Sequence, residues 1–354
     1  MHIVKTKDLV GNEILAKHIV SKTDVVLISK GTILKKDYIP KLSELGIDFV
    51  VVEDQILEDL SIEADVLKKE VFENTKSVVK NLLEQHVYKH SRGLSKLCDV
   101  AEDIIENILS EEALLERLAE IRQESTDMYS HSVNVCALST LLALRMNFDR
   151  KKVEEIARGS ILHDIGLRYV SVDYENIELT DMDPNDVKEY KKHVIYGYEA
   201  VRECEWLTDL SKKIILHHHE ASDGSGYPFK MMSNRTADEI KIVAVCDAFD
   251  RKLSGIGCKK ISVHENIEYF RIQRNREFDA KVIDMFISMV ALYPVGTKVF
   301  TNEGEIGFVI KQNKEFTDRP ILMIIQDKNG EPVAPPRELD LLKSLNVFIV
   351  DPED

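Results

Sequence analysis

Apolar residues recur along this chain at two periods, and the change from one to the other divides it. From Leu57 to about Arg122 they fall near the helical period of about 3.6 residues. Val66, Leu67, Val71, Val78, Leu82 and Leu83 form one stripe, and Leu94, Leu97, Ala101, Ile104, Ile105 and Ile108 form another. Gly93, after His86, Tyr88, Lys89 and His90, marks a break, and Ser110 before Glu111-Glu112 reads as an N-cap with acids in the first turn. Two such helices serve equally well as a hairpin packing on the next domain or as a connector through which two copies pair. The helical period continues from about residue 123 to 293.

On either side the pattern shortens toward the strand period. Val25-Val26-Leu27-Ile28 reads as a strand, Lys30-Gly31 as a turn, Asp37 to Leu45 as a short helix capped by Gly46, and Ile47 to Val52 as a second strand. Val295 to Phe300 and Ile306 to Ile310 flank Asn302-Glu303-Gly304, a hairpin signal, and Ile321 to Ile325 and Val347 to Val350 extend the β pattern. The expected organisation is therefore a small α+β module over 1–56, a helical connector over 57–122, a helical domain over 123–293 and a small β module over 294–354.

Within 123–293 the polar residues are unusual for apolar helices. Asp127 and His131 are four apart on a helix running to Met146, and so share a face. His163-Asp164 ends the helix containing Val153, Ile156 and Ala157, where Gly166 stops it. Asp183-Pro184 opens a helix that carries His193, four residues before Gly197. Ile214-Ile215-Leu216 leads into His217-His218-His219-Glu220 and the turn Asp223-Gly224-Ser225-Gly226-Tyr227-Pro228. Asp247 and Asp250 lie in the apolar run Ile242 to Phe249 and just beyond it. A lone histidine on such a face is usually a satisfied core residue, and a histidine run is as readily a solvated cluster as a ligand set. A buried carboxylate without a partner is expensive, however. Five imidazoles and several carboxylates on successive apolar helices are best accounted for by cations among them. Mixed nitrogen and oxygen donors suit iron, manganese, zinc or cobalt, and an adjacent His-Asp pair suits a dinuclear centre.

Composition narrows the picture without naming a chemistry. The 354 residues carry a formal charge of −15, which excludes a generic nucleic-acid surface but not an anionic small substrate met by metal ions. No apolar run has the length of a membrane span and the N-terminus lacks a signal pattern, so a cytoplasmic location is expected. The five cysteines are scattered and free of paired spacing, as reduced thiols are.

These residues, in this order, resemble the HD-GYP family of cyclic dinucleotide phosphodiesterases, a branch of the HD metal-phosphohydrolase superfamily. The carriers are His131-Ser132, His163-Asp164-Ile165-Gly166, His193 with Gly197, His218-His219-Glu220 through Gly226-Tyr227-Pro228, and Asp247 with Asp250. The resemblance implies a mostly α fold, an HD-type helical bundle with a small N-terminal α+β module and a small C-terminal β module. It implies two or three divalent transition-metal ions, iron or manganese, on His131, His163, Asp164, His193, His218, His219 and Asp247, with Asp164 bridging. Asp127 stands where three-metal members carry a glutamate. His163 and Asp164 would form the catalytic pair, and Asp250, Lys259, Arg168 and Tyr227 would contact substrate. The implied reaction opens cyclic di-GMP to the linear dinucleotide pGpG or to GMP, by attack of a hydroxide generated between the ions. No nucleic acid or membrane partner is implied, and a homodimer through the helical connector is expected.

The family's lysine after His-Asp-x-Gly is Leu167 here, its downstream lysine-proline-glycine stretch is the acidic run Asp173 to Glu178, and its arginine-containing segment reads Gly255 to Lys260 with Ile256. Two alternatives follow: a weakly active or inactive module that binds a cyclic dinucleotide and signals, or a phosphodiesterase for another cyclic dinucleotide.

Overall fold

The computed structural model describes residues 67–85, 93–110, 127–313, 316 and 318–350, and in the first unit 2–6, 9, 14–15, 18–20, 26–29, 32–36, 38–45, 47 and 49–53. It divides into two compact units, Met1–Glu63 and Ala64–Asp354.

In the first unit β1 (His2–Lys5), β5 (Phe49–Glu53) and β2 (Ile14–Leu15) form an antiparallel sheet in the order β1-β5-β2, and β3 (Ile19–Val20) pairs with β4 (Val26–Ile28). The helix α1 (Tyr38–Glu44) sends Leu42 into a core with Leu9, Leu15, Ile19, Leu34 and Val50. The Lys30-Gly31 turn and the Gly46 cap lie outside the described residues.

The second unit begins with α2 (Lys69–Glu84) and α3 (Lys96–Ser110). Their apolar stripes, including Phe72, Val79, Leu83, Leu97, Ile104 and Ile105, are buried in one core with the helices that follow. They pack as a hairpin on the helical domain, one of the two readings of the sequence, although Val78 of the first stripe stays 45% exposed. Ser110 is the last residue of α3, its hydroxyl bonded to the Asn107 carbonyl at 2.8 Å, and the helix it was expected to cap lies outside the described residues. Residues 86–92, with His86, Tyr88, Lys89 and His90, and 111–126 lie outside the described residues.

The helix α4 (Met128–Arg145) is the centre of the bundle and packs against α2, α3, α5 (Arg150–Ser160), α9 (Asp238–Ser254) and α11 (Ala280–Met289). A helix enclosed on all sides must be apolar all round, and α4 is buried nearly continuously from Ser130 to Ala143. α9 is likewise buried from Ile242 to Asp250. α6 (Pro184–Lys191), α7 (His193–Val201), α8 (Asp209–His217) and α10 (Val263–Gln273) complete the helical set. Caps mark the starts: Asp149 accepts from the Lys152 amide at 3.0 Å, and Ser262 and Glu265 form a capping box. One expectation fails here. Asp183-Pro184 does open a helix, but that helix ends at Lys191, and His193 begins a new one.

The last segment is an antiparallel five-stranded sheet in the order β10-β6-β7-β8-β9, built from β6 (Lys298–Thr301), β7 (Ile306–Lys311), β8 (Ile321–Gln326), β9 (Pro332–Asp340) and β10 (Ile349–Val350). Val299, Val309, Leu322, Ile324, Leu341 and Val347 fill its core. β9 carries Pro335 and Pro336 and lies at the sheet edge, where a missing amide donor costs no ladder bond. Among the described residues no helix is long and apolar enough to cross a membrane.

Candidate metal centre

Five separate pieces of chain deliver side chains to one buried volume. His131 comes from the first turn of α4, His163 and Asp164 from the turn after α5, and His193 from the start of α7. His218 and His219 follow α8, and Asp247 projects from the middle of α9. His131, His163, Asp164, His193, His218 and Asp247 are each at most 1% exposed. Two quartets result: His131, His163, Asp164 and Asp247, and Asp164, His193, His218 and His219, the donor atoms of each lying within 4.8 Å of one another. Asp164 belongs to both. Its Oδ2 lies 3.4 Å from Nε2 of both His131 and His163, and its Oδ1 lies 3.4 Å from Nε2 of both His193 and His218. One carboxylate thus faces each quartet with a different oxygen.

The imidazoles are oriented by what their other nitrogen does. Nδ1 of His163 donates to the Ser160 carbonyl at 2.7 Å, that of His193 to the Tyr190 carbonyl at 2.7 Å, and that of His218 to the Ile215 carbonyl at 3.0 Å. Each acceptor is three residues upstream, a carbonyl in the last turn of a helix. With the proton on Nδ1, the Nε2 lone pair points into the cluster. His131 is held by a side chain instead: Nδ1 donates to Asp250 Oδ2 at 2.7 Å, and Asp250 Oδ1 accepts from Asn134 Nδ2 at 2.9 Å.

This donor set fits divalent cations. The Nε2 atoms of His131 and His163 face each other at 3.2 Å, and two lone pairs that close need a proton or a metal ion between them. Asp164 Oδ1, Asp247 Oδ2 and the Nε2 atoms of His193, His218 and His219 are buried without a hydrogen-bond partner. Buried polar atoms are seldom left so, and their grouping in one place indicates a ligand.

The charges tell the same story. Burial works against protonated His131, but hydrogen bonds to Asp164, Asp247 and Asp250 outweigh it and hold its pKa well above the usual imidazole value. Burial likewise opposes charge on His163, and Asp164 and Asp247 still raise it to about 9. Burial dominates at His193, which drops to about 4, and at His219, which falls well below the usual value. Burial is outweighed at Asp164, by His163, His131 and His218, and at Asp247, by Arg251 and the histidines; both stay well below the usual carboxylate range. The cluster is an anionic well that gathers positive charge.

Two close approaches let the pieces meet. A Cβ on Gly166 would lie 1.9 Å from the His193 carbonyl oxygen and 2.6 Å from the Gly197 amide, so only glycine lets the Asp164 turn rest on α7. A Cβ on Gly226 would lie 2.3 Å from the Ala221 amide and 2.4 Å from the His219 carbonyl oxygen, so the loop after α8 folds directly onto its own start. Glu220 closes that loop, its buried carboxylate accepting from the amides of Phe229 and Met231 at 2.7 Å each. The Tyr227 ring stacks on His219, with centroids 4.7 Å apart.

Other expected site residues sit elsewhere. Asp127 is in neither quartet. It precedes α4 and caps it, accepting from the Tyr129 and Ser130 amides at 3.1 and 2.8 Å, and it pairs with Lys76 at 3.1 Å. It therefore does not share a helical face with His131, and acting as a ligand would cost it the cap, worth about 1 kcal/mol. Asp250, expected to contact substrate, is buried behind His131 with both oxygens engaged by the protein. Lys259 is exposed and paired with Asp181 at 2.9 Å, and its amide donates to Glu178. The end of the acidic run thus holds the backbone of this lysine, and Asp181 just beyond it takes up the ammonium. Arg168 closes a short 3₁₀ turn and is half-buried. Leu167 and Ile256 are buried together around Tyr190. Sequence reasoning passed over Asn134, Tyr190 and Arg251. For Arg251 a signal existed, since it is four residues beyond Asp247 and so on the same helical face.

Residues 100–282, more than half of the chain, match the family model of the HD domain. The chain belongs to the HD domain family. Residues 299–354, which contain the C-terminal sheet, match a KOW domain associated with HD domain. Among curated HD domain relatives, the cyclic di-GMP phosphodiesterase PA4108 of Pseudomonas aeruginosa is 29% identical over 246 residues, covering 69% of this chain and 58% of that protein. The 3'3'-cGAMP-specific phosphodiesterase 2 of Vibrio cholerae is 27% identical over 169 residues, 47% of this chain and 32% of that protein. The chain thus spans little more than half the length of the first relative and less of the second. Among solved structures, the HDG"Y"P protein Bd1817 of Bdellovibrio bacteriovorus shares the fold, with a TM-score of 0.52 and 18% identity over 80% of this chain and 97% of that one. The HD domain here is of the HD-GYP type, with His163-Asp164 and Gly226-Tyr227-Pro228 in place.

Proposed function

We propose that this protein is a metal-dependent phosphodiesterase that opens cyclic di-GMP to pGpG or GMP. The observation that carries the reading is the pair of buried quartets joined through Asp164. His131, His163, Asp164 and Asp247 would hold one divalent ion, and Asp164, His193, His218 and His219 a second, iron or manganese. Such ions supply Lewis-acid polarisation of phosphoryl oxygens and lower the pKa of water. The chain's own part is to fix the geometry. Backbone carbonyls set three of the imidazole tautomers, Asp250 sets the fourth, and the loop held by Glu220 brings Tyr227 over His219. The acidic surface leaves the attraction of an anionic substrate to the centre itself. The cyclic dinucleotide relatives support the substrate class.

A second reading is supported by Leu167 and Ile256, which are apolar and buried where cations would grip phosphate. Under it the protein binds a cyclic dinucleotide and turns it over slowly or not at all. Purified full-length protein loaded anaerobically with Mn²⁺ or Fe²⁺, then given cyclic di-GMP or 3'3'-cGAMP, separates the two. Formation of linear dinucleotide from cyclic di-GMP supports the first reading, and binding without turnover supports the second. Selective cleavage of 3'3'-cGAMP would replace the substrate and keep the chemistry.

A further inference from the structure

Metal ions would satisfy the orphaned atoms of the two quartets, but two buried polar atoms beside them stay unexplained. The Nε of Arg251 and the hydroxyl of Tyr227 are each buried without a hydrogen-bond partner. Arg251 projects from α9 one turn beyond Asp247, with its side chain only 14% exposed. Its own carbonyl accepts from the Gly255 and Ile256 amides at 2.8 and 3.2 Å, which ties the residue to the end of the helix. The nearest carboxylate is Asp247, with Oδ2 at 3.6 Å from Nε, an ion pair but too long for a hydrogen bond. The same oxygen is 3.5 Å from His219 Nδ1, and the other oxygen of Asp247 belongs to the His131 and His163 side. The guanidinium also lies within hydrogen-bonding reach of the Tyr190 phenol and acts electrostatically on that of Tyr227, so it is its Nε that is left without a partner.

A buried guanidinium next to a site for divalent cations is an electrostatic conflict. Two ions would carry four positive charges against the two of Asp164 and Asp247, and Asp250 is committed to His131 and Asn134. Arg251 then adds positive charge where an excess already exists. An anion lying between the ions and the guanidinium resolves this, and a planar guanidinium suits phosphate oxygens better than any other side chain.

We propose that Arg251 holds a non-bridging oxygen of the scissile phosphodiester, beside the Tyr227 hydroxyl that the family resemblance already implies as a substrate contact. This rests on the reading of the centre as a phosphodiesterase. It makes Arg251 the cation of the phosphate grip and gives Tyr227 a polar task besides its stacking on His219. The rival role is purely positional: Arg251 would orient Asp247 and touch no substrate.

The test uses the full chain loaded with Mn²⁺ and inorganic phosphate as the probe, with metal content measured alongside. Arg251→Ala is expected to keep the wild-type metal content and to weaken phosphate binding about 10- to 100-fold, the range for losing one hydrogen bond to a charged group. Arg251→Lys should recover part of that loss, and Tyr227→Phe should show a smaller loss of the same kind. Should the alanine chain fail to fold, Arg251→Gln keeps the length of the arm and reads the charge alone. Unchanged phosphate affinity in the alanine or glutamine chain overturns the proposal. So does loss of metal in step with loss of phosphate, which assigns Arg251 to Asp247. A wild-type chain that binds phosphate through Arg251 yet leaves both cyclic dinucleotides intact would overturn the hydrolase reading and retain the anion site.

Discussion

Asp250 offers the sharpest test of how the centre is built. As a substrate contact it would affect KM; as the acceptor for His131 it must affect metal. The structure gives it the second task, at 2.7 Å from His131 Nδ1, with its other oxygen 2.9 Å from Asn134 Nδ2 and the residue 1% exposed. Asp250→Ala removes a charge-assisted bond worth about 1.5–3 kcal/mol and leaves the buried His131 Nδ1 and the half-buried Asn134 Nδ2 without this acceptor. Removing the partner of a metal-binding imidazole typically lowers metal affinity about 10- to 100-fold, or roughly 1.4–2.7 kcal/mol. Asp250→Asn should be milder, because its amide oxygen can still face His131. Competition with a fluorescent chelator for Mn²⁺ measures the affinity. Kinetics with cyclic di-GMP at saturating metal measure the rest, and KM there should match wild type. Wild-type metal affinity combined with a raised KM would refute this assignment and return Asp250 to the substrate.

Three further outcomes follow from the geometry. Leu167→Lys buries an ammonium against Tyr190 and Ile256 and should destabilise the fold by about 3–5 kcal/mol, lowering Tm; faster turnover at unchanged Tm would contradict the packing. Gly166→Ala must push the Asp164 turn away from α7 by more than 1 Å to clear the 1.9 Å approach, costing about 1–3 kcal/mol and emptying the shared quartet, and wild-type metal stoichiometry would refute it. Metal-stripped protein should lose stability between about pH 6.5 and 9, because His163 is raised from 6.5 to about 9 and a raised imidazole stabilises only while protonated. The effect is up to about 3 kcal/mol, with metal affinity rising over the same window; denaturant unfolding at the two limits that shows rising stability would contradict it.

The candidate ligand positions were legible in part because they break a pattern. Carboxylates and imidazoles inside otherwise apolar helical stripes are costly, which drew attention to these segments, and the family resemblance then singled out His131, His163, Asp164, His193, His218, His219 and Asp247. The errors share one cause, a local offset that periodicity does not register. Asp127 is one residue short of its helix and caps it, so the face that spacing had it share with His131 is absent. Lys192 interrupts a helix that spacing carried through to His193. In the first unit, strands of two to four residues such as Ile14–Leu15 and His2–Lys5 are too short for alternation to be counted. β9 was hidden by prolines that only an edge position accommodates. The burial of Arg251 depended on Tyr190 and Tyr227, which come from distant segments, so sequence spacing could suggest its face and not its surroundings.

The three carbonyls that receive the Nδ1 protons of His163, His193 and His218 have a genetic consequence. A carbonyl is present whatever residue occupies the position, so substitutions at Ser160, Tyr190 or Ile215 cannot delete the acceptor that sets the tautomer. Those candidate ligands inherit their orientation from the chain's path, so substitutions at these three buried positions reach the imidazole only through packing. His131 alone of these four depends on a replaceable side chain. A lineage losing this centre has many neutral routes around the other three, but at His131 a single codon change at Asp250 is enough to disturb a ligand that is itself unaltered.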